Sequence, residues 1–225
     1  MKHFFLRPTL IALLACSALS AQTGALIKYK LSSSMGTTGS IVIYYSDGNT
    51  RTETAMVIPQ MPNGGFNRVG IIQKSKPTTV ITLDDKAKTY SERDFKEKAE
   101  ATDTGVTVKI LGNEKIGTYN CVHSQVTQNG HISEYWTTKD IPEYEKYAAA
   151  HKGSRYMGRG NTSEAMKKAG AEGFLVKTFS KDARSGETSL ELESFLKQDV
   201  PADKFVVPAD YTKTEPKTSP YPGSK

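Results

Sequence analysis

Four residues of this sequence have types and a spacing that could do chemistry: Cys121, His123, Glu134 and Trp136. The Asn129-Gly130 dipeptide lies between the two pairs and is the strongest signal for a short hairpin turn in the chain. The predicted cross-strand pairs are Gln128 with His131, Thr127 with Ile132, Gln125 with Glu134, His123 with Trp136, and Cys121 with Thr138. Because side chains alternate along a strand, the four candidates should share one face of the sheet.

A thiol is a nucleophile only as the thiolate, and an imidazole oriented by a carboxylate is a common base for it. Cys121 and His123 are two residues apart on one strand, so their Cβ atoms should lie about 7 Å apart, which is long for a direct hydrogen bond. We therefore interpret Cys121 as a buried structural residue beside Trp136, with His123 and Glu134 nearer the rim. The alternative is an enzyme that uses Cys121 with His123.

The sequence predicts no metal site and no cofactor. His123, His131 and His151 are scattered, and the one cysteine expected in the mature chain cannot complete a zinc site. The Gly-rich stretch 158–160 precedes a predicted helix but follows no hydrophobic strand, so it does not fit a phosphate-binding loop.

The charge pattern does not predict a nucleic-acid partner. The net charge of +6 includes Lys2 and Arg7, and without these two it is +4. Lysines and arginines occur in short clusters interrupted by acids, as in 94–98, so no continuous cationic track is present.

Aromatic and apolar residues of the predicted strands and helices are the candidates for lining a ligand cavity. The candidates are Tyr29, Tyr45, Trp136, Tyr144, Tyr147 and Met166. Aromatic side chains also stabilise any sheet through cross-strand pairs, which favours a core position for the strand tyrosines. The helical residues could cover the mouth of a cavity or fill a barrel as its core, and the sequence leaves both interpretations open.

Short alternating or apolar runs separated by Gly, Asn, Asp and Pro predict an antiparallel meander of about ten strands. The runs are 27–31, 40–45, 52–58, 68–73, 78–83, 88–93, 106–110, 118–127, 173–179 and 188–195, together with the second strand of the hairpin. Gly112-Asn113 is interpreted as a turn. Two short helices are predicted at 142–150 and 162–170, opened by Pro142 and by the cap-like 161–163, with a basic Gly-rich loop between them.

The first 21 residues of the 225-residue chain have the pattern of a secretory signal peptide. Lys2 and Arg7 precede an apolar run at 9–15 that is too short to span a membrane, and small residues follow at 16–21. Cleavage is expected after Ser20 or Ala21. An alternative interprets 13–16 as a lipobox, with Cys16 acylated. We expect export to the periplasm or outer surface, one β-rich domain at 22–211, and a disordered Pro-, Ser- and Lys-rich tail at 212–225.

Five short segments together resemble an exported bacterial family known as the domain of unknown function numbered 4412. They are Arg51-Thr52-Glu53, Lys88-Thr89-Tyr90, Gly117-Thr118-Tyr119-Asn120-Cys121, the run from Glu134 to Asp140, and the run from Phe205 to Tyr211. The resemblance extends from about Ile27 to Tyr211; the basic loop and the charged tail depart from it. This family is in turn similar to the periplasmic lipoprotein carrier and its outer-membrane receptor. That likeness implies a curved antiparallel sheet, an incomplete barrel closed by helices over an apolar cavity.

A fold does not by itself establish a function, so three hypotheses follow. The first is a non-catalytic protein of the cell envelope that binds an acyl chain, a lipid or a lipidated peptide, with peripheral contact to the outer membrane. The second is the envelope enzyme using Cys121 and His123. The third is a structural interaction module without a small ligand.

Overall fold

The computed structural model describes residues 24–94, 105–148, 160–182 and 186–216. The predicted signal peptide, the acylation site at Cys16, most of the basic loop and the last nine residues lie outside the described residues.

Twelve strands and two α-helices make up the regular structure of the described residues. The strands are β1 (Gly24–Ser33), β2 (Thr38–Ser46), β3 (Asn49–Val57), β4 (Gly65–Gln73), β5 (Lys76–Asp84), β6 (Thr89–Asp94), β7 (Thr107–Ile116), β8 (Tyr119–Gln128), β9 (His131–Thr138), β10 (Phe174–Asp182), β11 (Gly186–Lys197) and β12 (Thr212–Lys213). Helices α1 (Tyr144–Ala148) and α2 (Gly160–Lys168) follow β9, and a 3-10 helix covers Ala202–Phe205.

All twelve strands belong to one sheet with the order β12-β6-β5-β4-β3-β2-β1-β11-β10-β9-β8-β7. Two meanders, β1 to β6 and β7 to β11, are joined because β1 pairs with β11. Every pair is antiparallel except that of β12 with β6. The described strands form an open sheet that ends at β7 and β12. The predicted mainly β, antiparallel fold with two inserted helices is confirmed.

Alternation along the strands separates the two faces of the sheet. In β1, Ile27, Tyr29 and Leu31 are buried, whereas Lys28 and Lys30 are not. We call the face of Tyr29 the inner face and the face of Lys28 the outer face. A strand with this pattern can bury one face and leave the other in water, which fixes its register.

An inner cluster of aromatic and aliphatic side chains fills the inner face at β1, β2 and β10. Helix α1 packs onto it through Tyr147, whose ring meets Tyr45 and Phe195 edge-to-face at centroid distances of 5.4 and 5.1 Å. The Tyr29 hydroxyl, also buried, donates a hydrogen bond of 2.8 Å to the carbonyl of Leu175. Burial raises the pKa of Tyr29 well above its usual value.

The C-terminal segment covers a second cluster, which contains Ile71, Ile81, Val200 and Phe205. The segment then continues as β12, where Thr212 pairs with Thr89 of β6. The prediction of a tail that is disordered from residue 212 is therefore wrong for its first residues. The composition offered nothing to bury, but backbone pairing with an edge strand orders this polar segment without an apolar side chain.

Gly112 is a bulge and not the predicted turn. Strand β7 runs through it, and the register with β8 shifts between Ile110 and Gly112. Gly112 has a φ of 152° and Gly117, at the actual turn, a φ of 59°. Because bulges and tight turns both use glycine for such backbone angles, the local sequence did not distinguish them.

Tyr147 and Tyr29 provide a matched test of the inner cluster, since both are fully buried but the Tyr147 hydroxyl has no hydrogen-bond partner among the described residues. We expect Tyr147→Phe to raise the free energy of unfolding by about 1 kcal/mol, because it removes a buried unpaired hydroxyl. Tyr29→Phe removes a buried hydrogen bond and should lower it by about 1 kcal/mol. Urea unfolding measures the free energy of unfolding of both variants. If both substitutions change it in the same direction, the two hydroxyls do not differ in their hydrogen bonding as the structure shows.

Candidate functional site

The β8–β9 hairpin has the register that the Asn129-Gly130 turn predicts. His123 lies opposite Trp136, Gln125 opposite Glu134 and Cys121 opposite Thr138. Asn129 has a φ of 51° and Gly130 a φ of 77°, the left-handed angles that a two-residue hairpin turn requires. The turn therefore brings His123, Glu134 and Trp136 together on one face.

His123 is held between two carboxylates and a tryptophan. Its Nε2 lies 2.8 Å from Oε2 of Glu134, and its Nδ1 lies 3.8 Å from Oε2 of Glu114. The imidazole stacks on the indole of Trp136 with a centroid distance of 4.1 Å and an interplanar angle of 12°. These contacts fix both the position and the plane of the ring.

Trp136 connects the β8–β9 hairpin to the strands on either side of it, β7 and β10. Its indole N–H donates a 2.7 Å hydrogen bond to Oε2 of Glu114 on β7. On β10, Nζ of Lys177 lies 5.2 Å from the ring centroid, a cation–π distance. Lys177 also pairs with Glu191 at 3.0 Å and, chiefly through this hydrogen bond, lowers the pKa of that carboxyl.

The contacts form a row across five strands. His123 lies opposite Trp136, Trp136 opposite Lys177, Lys177 opposite Glu191, and Glu191 opposite Lys30. His123, Glu134 and Trp136 were predicted from the sequence, whereas Glu114, Lys177 and Glu191 were not. The β7–β8 turn at Gly117 could have indicated Glu114; Lys177 and Glu191 depend on pairings between distant segments, for which no local signal exists.

Cys121 lies beside this group but is not activated by it. The thiol is buried, and its Sγ donates to the carbonyl of Tyr119 at 3.7 Å. Burial is the main cause that raises the pKa of Cys121 to about 11. A reactive thiol needs a lowered pKa, so this environment supports the structural interpretation over the nucleophile.

A polar pocket of about 320 Å³ opens next to Cys121. Lys139 and Glu172 on its wall form a 2.6 Å ion pair, and Asp140 accepts a 2.7 Å hydrogen bond from the backbone N–H of Asn120. Lys139 and Glu172 thus pair with each other, whereas Oε2 of Glu172 is buried without a hydrogen-bond partner among the described residues. Within the described residues, no three His, Cys, Asp or Glu side chains form a potential metal site.

The residues predicted to bind an apolar ligand do not lie in one place. Tyr29, Tyr45 and Tyr147 are buried in the inner cluster, with Tyr144 packed at its edge. Trp136 belongs to the group around His123. Met166 of α2 packs on Val126 and Ala171 in a separate cluster. Four of the six candidates thus come together where α1 packs on the inner face, Tyr144 and Tyr147 from the helix and Tyr29 and Tyr45 from the sheet. Among the described residues, no helix is long and apolar enough to cross a membrane.

Comparison with known proteins identifies one family. The model of the family described as "Domain of unknown function (DUF4412)" matches residues 23–211. No curated protein shows significant sequence similarity to the chain.

Several solved structures are similar in shape. An uncharacterized conserved protein from Thermus thermophilus has a TM-score of 0.53 and 8% sequence identity, covering 87% of this chain and 91% of that one. PNGF-II has a TM-score of 0.45 and 16% identity, covering 86% of this chain and 31% of its own. MucB in complex with MucA(peri) has a TM-score of 0.44 and 10% identity, covering 84% and 56%. The first similarity shows a shared fold. The TM-scores of PNGF-II and MucB are too low to establish one.

The thiol of Cys121 should react slowly in the folded protein. With a pKa of about 11, only about one thiol in a thousand is ionised at pH 8. We expect iodoacetamide to label the native protein at least about a hundredfold more slowly than the urea-unfolded chain, because burial also blocks access. Rapid native labelling at pH 8 would instead support the enzyme hypothesis.

Glu114 should control the environment of Trp136, the single tryptophan of the chain. Glu114→Ala leaves the indole N–H without its acceptor, so we expect a loss of about 1 to 2 kcal/mol in the free energy of unfolding and a shift in tryptophan emission. Glu114→Gln retains an acceptor oxygen and should keep the native emission. Identical spectra for the two variants would show that the hydrogen bond does not position the indole.

Proposed function

The chain belongs to the DUF4412 family, and we propose that it is an exported, non-catalytic protein of the cell envelope that binds an apolar ligand, such as an acyl chain, a lipid or a lipidated peptide, in the inner cluster. The N-terminal pattern of Lys2, Arg7 and an apolar run supports export. The position of Tyr147 supports the binding site.

Tyr147 fills the inner cluster as a ligand would. Its side chain is 0% exposed and lies against Tyr45 and Phe195, and Phe195 in turn meets Phe174 at 5.5 Å. Yet the hydroxyl at the end of this buried ring has no partner among the described residues. A buried, unpaired hydroxyl costs about 1 to 3 kcal/mol, so the site holds an apolar ring well and its polar end poorly.

Helix α1 is weakly held in the fold. Its described part, Tyr144–Ala148, is short and depends on tertiary packing for its stability. The residue before it, Glu143, has a φ of 57°, which is unfavourable for a residue with a side chain. Glu143 binds Lys197 at 3.2 Å and Lys146 at 3.4 Å, but exposed ion pairs of this kind contribute little. We expect local opening of α1 to cost less than opening a long ladder such as that of β1 with β11.

An apolar ligand that displaces Tyr147 would meet aromatic faces and aliphatic side chains. Tyr45, Phe174 and Phe195 would line the vacated space, and Tyr29 would lie behind them with its hydroxyl already satisfied by Leu175. A hydrocarbon chain has no polar atom to leave unpaired there and gains about 0.8 kcal/mol for each buried methylene. This is the chemistry that favours acyl chains over polar ligands.

The interaction-module hypothesis remains the second candidate, because β7 is an edge of the described sheet. Ile110 and Leu111 on this strand are each 42% exposed. An edge strand with exposed apolar side chains can pair with an extended partner segment, although the bulge at Gly112 works against continuous pairing.

Variants of Tyr147 should change binding of an apolar fluorescent probe in opposite directions. Tyr147→Ala empties the site, so we expect saturable binding at least about tenfold tighter than in the native protein. Tyr147→Phe removes the unpaired hydroxyl and stabilises the closed state, so binding should be weaker by about fivefold. Fluorescence titration of the mature protein measures both affinities.

Tyr44→Phe, on the outer face, is the control and should bind like the native protein. Circular dichroism establishes that each variant is folded. If folded Tyr147→Ala binds no probe and no lipid from a lipid extract, apolar ligand binding fails and the interaction-module hypothesis takes its place.

A further inference from the structure

Lys197 of β11 is a cation at the rim of the inner cluster. It lies opposite Ala25, which is fully buried in that cluster, and it is two residues from Phe195, whose ring meets Tyr147. Because alternate residues of a strand share a face, Lys197 and Phe195 both lie on the inner face. The Lys197 side chain is 49% exposed, so its ammonium group lies where the inner cluster meets water.

The partner of Lys197 comes from the start of α1. Nζ of Lys197 lies 3.2 Å from Oε2 of Glu143, the residue that directly precedes the helix. The hydrogen bond from Lys197, together with the ion pair to Lys146, holds the pKa of the Glu143 carboxyl below its usual value. The strand lysine is therefore neutralised by a carboxylate that belongs to the helical segment.

The backbone of Glu143 is strained where it makes this contact. Its φ of 57° lies in the left-handed region, which is unfavourable for a residue with a side chain. Strain of this kind persists only where surrounding contacts hold it, and it is common at ligand clamps and switch regions. Opening of α1 relieves the strain and takes the carboxylate away from Lys197, whereas Lys146, on the same helix, can stay with it.

Glu143 is the carboxylate that pairs with Lys197 in the described part of the chain. Asp199, two residues further along, forms no ion pair with Lys197, and the chain then enters the second cluster through Val200. An open α1 therefore leaves the ammonium group of Lys197 without its partner, beside the space that Tyr147 has vacated.

We propose that the ligand of the inner cluster is an acyl chain with an anionic head group, such as a long-chain carboxylate. Glu143 and Tyr147 are four residues apart and together present a carboxylate to Lys197 and an apolar ring to Tyr45 and Phe195. A fatty acid carries the same two groups, so its hydrocarbon chain replaces the ring and its carboxylate replaces that of Glu143. This ligand class rests on the proposed function, because the acyl chain can enter only when Tyr147 leaves the inner cluster.

The exposure of Lys197 determines how strong the preference for an anionic head group is. A neutral head group leaves the half-exposed ammonium group in contact with water, so it loses the ion pair without burying an unpaired charge. The difference between an anionic and a neutral ligand with the same hydrocarbon chain is then that of one exposed ion pair, about fivefold in affinity.

Competition with a bound apolar fluorescent probe measures this preference. Palmitate, hexadecyl phosphate and hexadecanol have hydrocarbon chains of matched length and differ in the head group. Palmitate and hexadecyl phosphate should each displace the probe from the mature protein at concentrations about fivefold lower than hexadecanol does, and high salt should reduce the difference. The ratio of their affinities shows whether the preferred head group is a carboxylate or a phosphate.

Substitutions of the two partners test the contact itself. Lys197→Gln should abolish the preference for anionic ligands, whereas Lys197→Arg, which keeps the charge, should retain it. Lys28→Gln makes the same charge change on the outer face and should also retain it. Glu143→Gln should tighten binding of all three ligands equally, by at most about fivefold, because it favours the open state of α1 and leaves the open site unchanged.

Titration of the Tyr147→Ala variant separates the ligand class from the proposed function. If this variant binds palmitate and hexadecanol equally tightly, the site takes apolar ligands without an anionic head group, and the ligand class is wrong while the proposed function stands. The ligand class is also wrong if Lys28→Gln weakens palmitate binding as much as Lys197→Gln does. If the variant is folded by circular dichroism and binds none of the three ligands, the proposed function fails and the ligand class with it.

Discussion

The pairing of β1 with β11 is the constraint on which the rest of this structure depends. Among the described strands it is the ladder that joins the two meanders, and it runs from the pair of Ala25 with Lys197 to the pair of Ser33 with Thr188. Its partners lie near opposite ends of the chain, so forming it closes a very long loop. Residues on both sides of this ladder contribute to the inner cluster. Ile43 and Tyr45 come from β2, and Phe174 and Leu175 come from β10. Burial of this shared cluster offsets the entropy of closure, which neither meander could do alone.

The same ladder determines how the polar groups of the outer face are connected. Lys30 on β1 lies opposite Glu191 on β11, so the row that starts at His123 continues through Trp136 and Lys177 into the first meander. Each member pairs with a group of opposite or compatible character: imidazole on indole, ammonium on indole, then ammonium with carboxylate. A shift of the ladder by one residue would move all of these side chains to the other face, which makes the row a consequence of register.

Local signals in the sequence were sufficient wherever a short turn sets the geometry. The Asn129-Gly130 turn determines the pairs of the β8–β9 hairpin, and with them the contact of His123 with Trp136 and Glu134. The sequence was insufficient where geometry depends on distant segments. Lys177 reaches Trp136 only through pairing of β10 with β9, which has a bulge after Leu175, and β12 is ordered by an edge strand far away in the chain. The prediction of a turn at Gly112 was wrong for another reason. A turn and a bulge need the same backbone freedom, so glycine fits both.

Cys121 and Tyr147 are both buried, but they differ in whether burial leaves their polar atom with a hydrogen-bond partner. Cys121 has the chemistry of a nucleophile, but it is buried with a carbonyl as its hydrogen-bond acceptor, and its raised pKa keeps it a thiol. Tyr147 has no such nucleophile, but its hydroxyl, like Ser124 Oγ and Glu172 Oε2, is buried without a hydrogen-bond partner among the described residues. A fully satisfied group such as Tyr29 gains nothing from leaving the core, whereas Tyr147 regains a hydrogen bond with water as soon as α1 opens. Opening of the short helix over the inner cluster therefore relieves one of the buried polar atoms that lack a partner among the described residues.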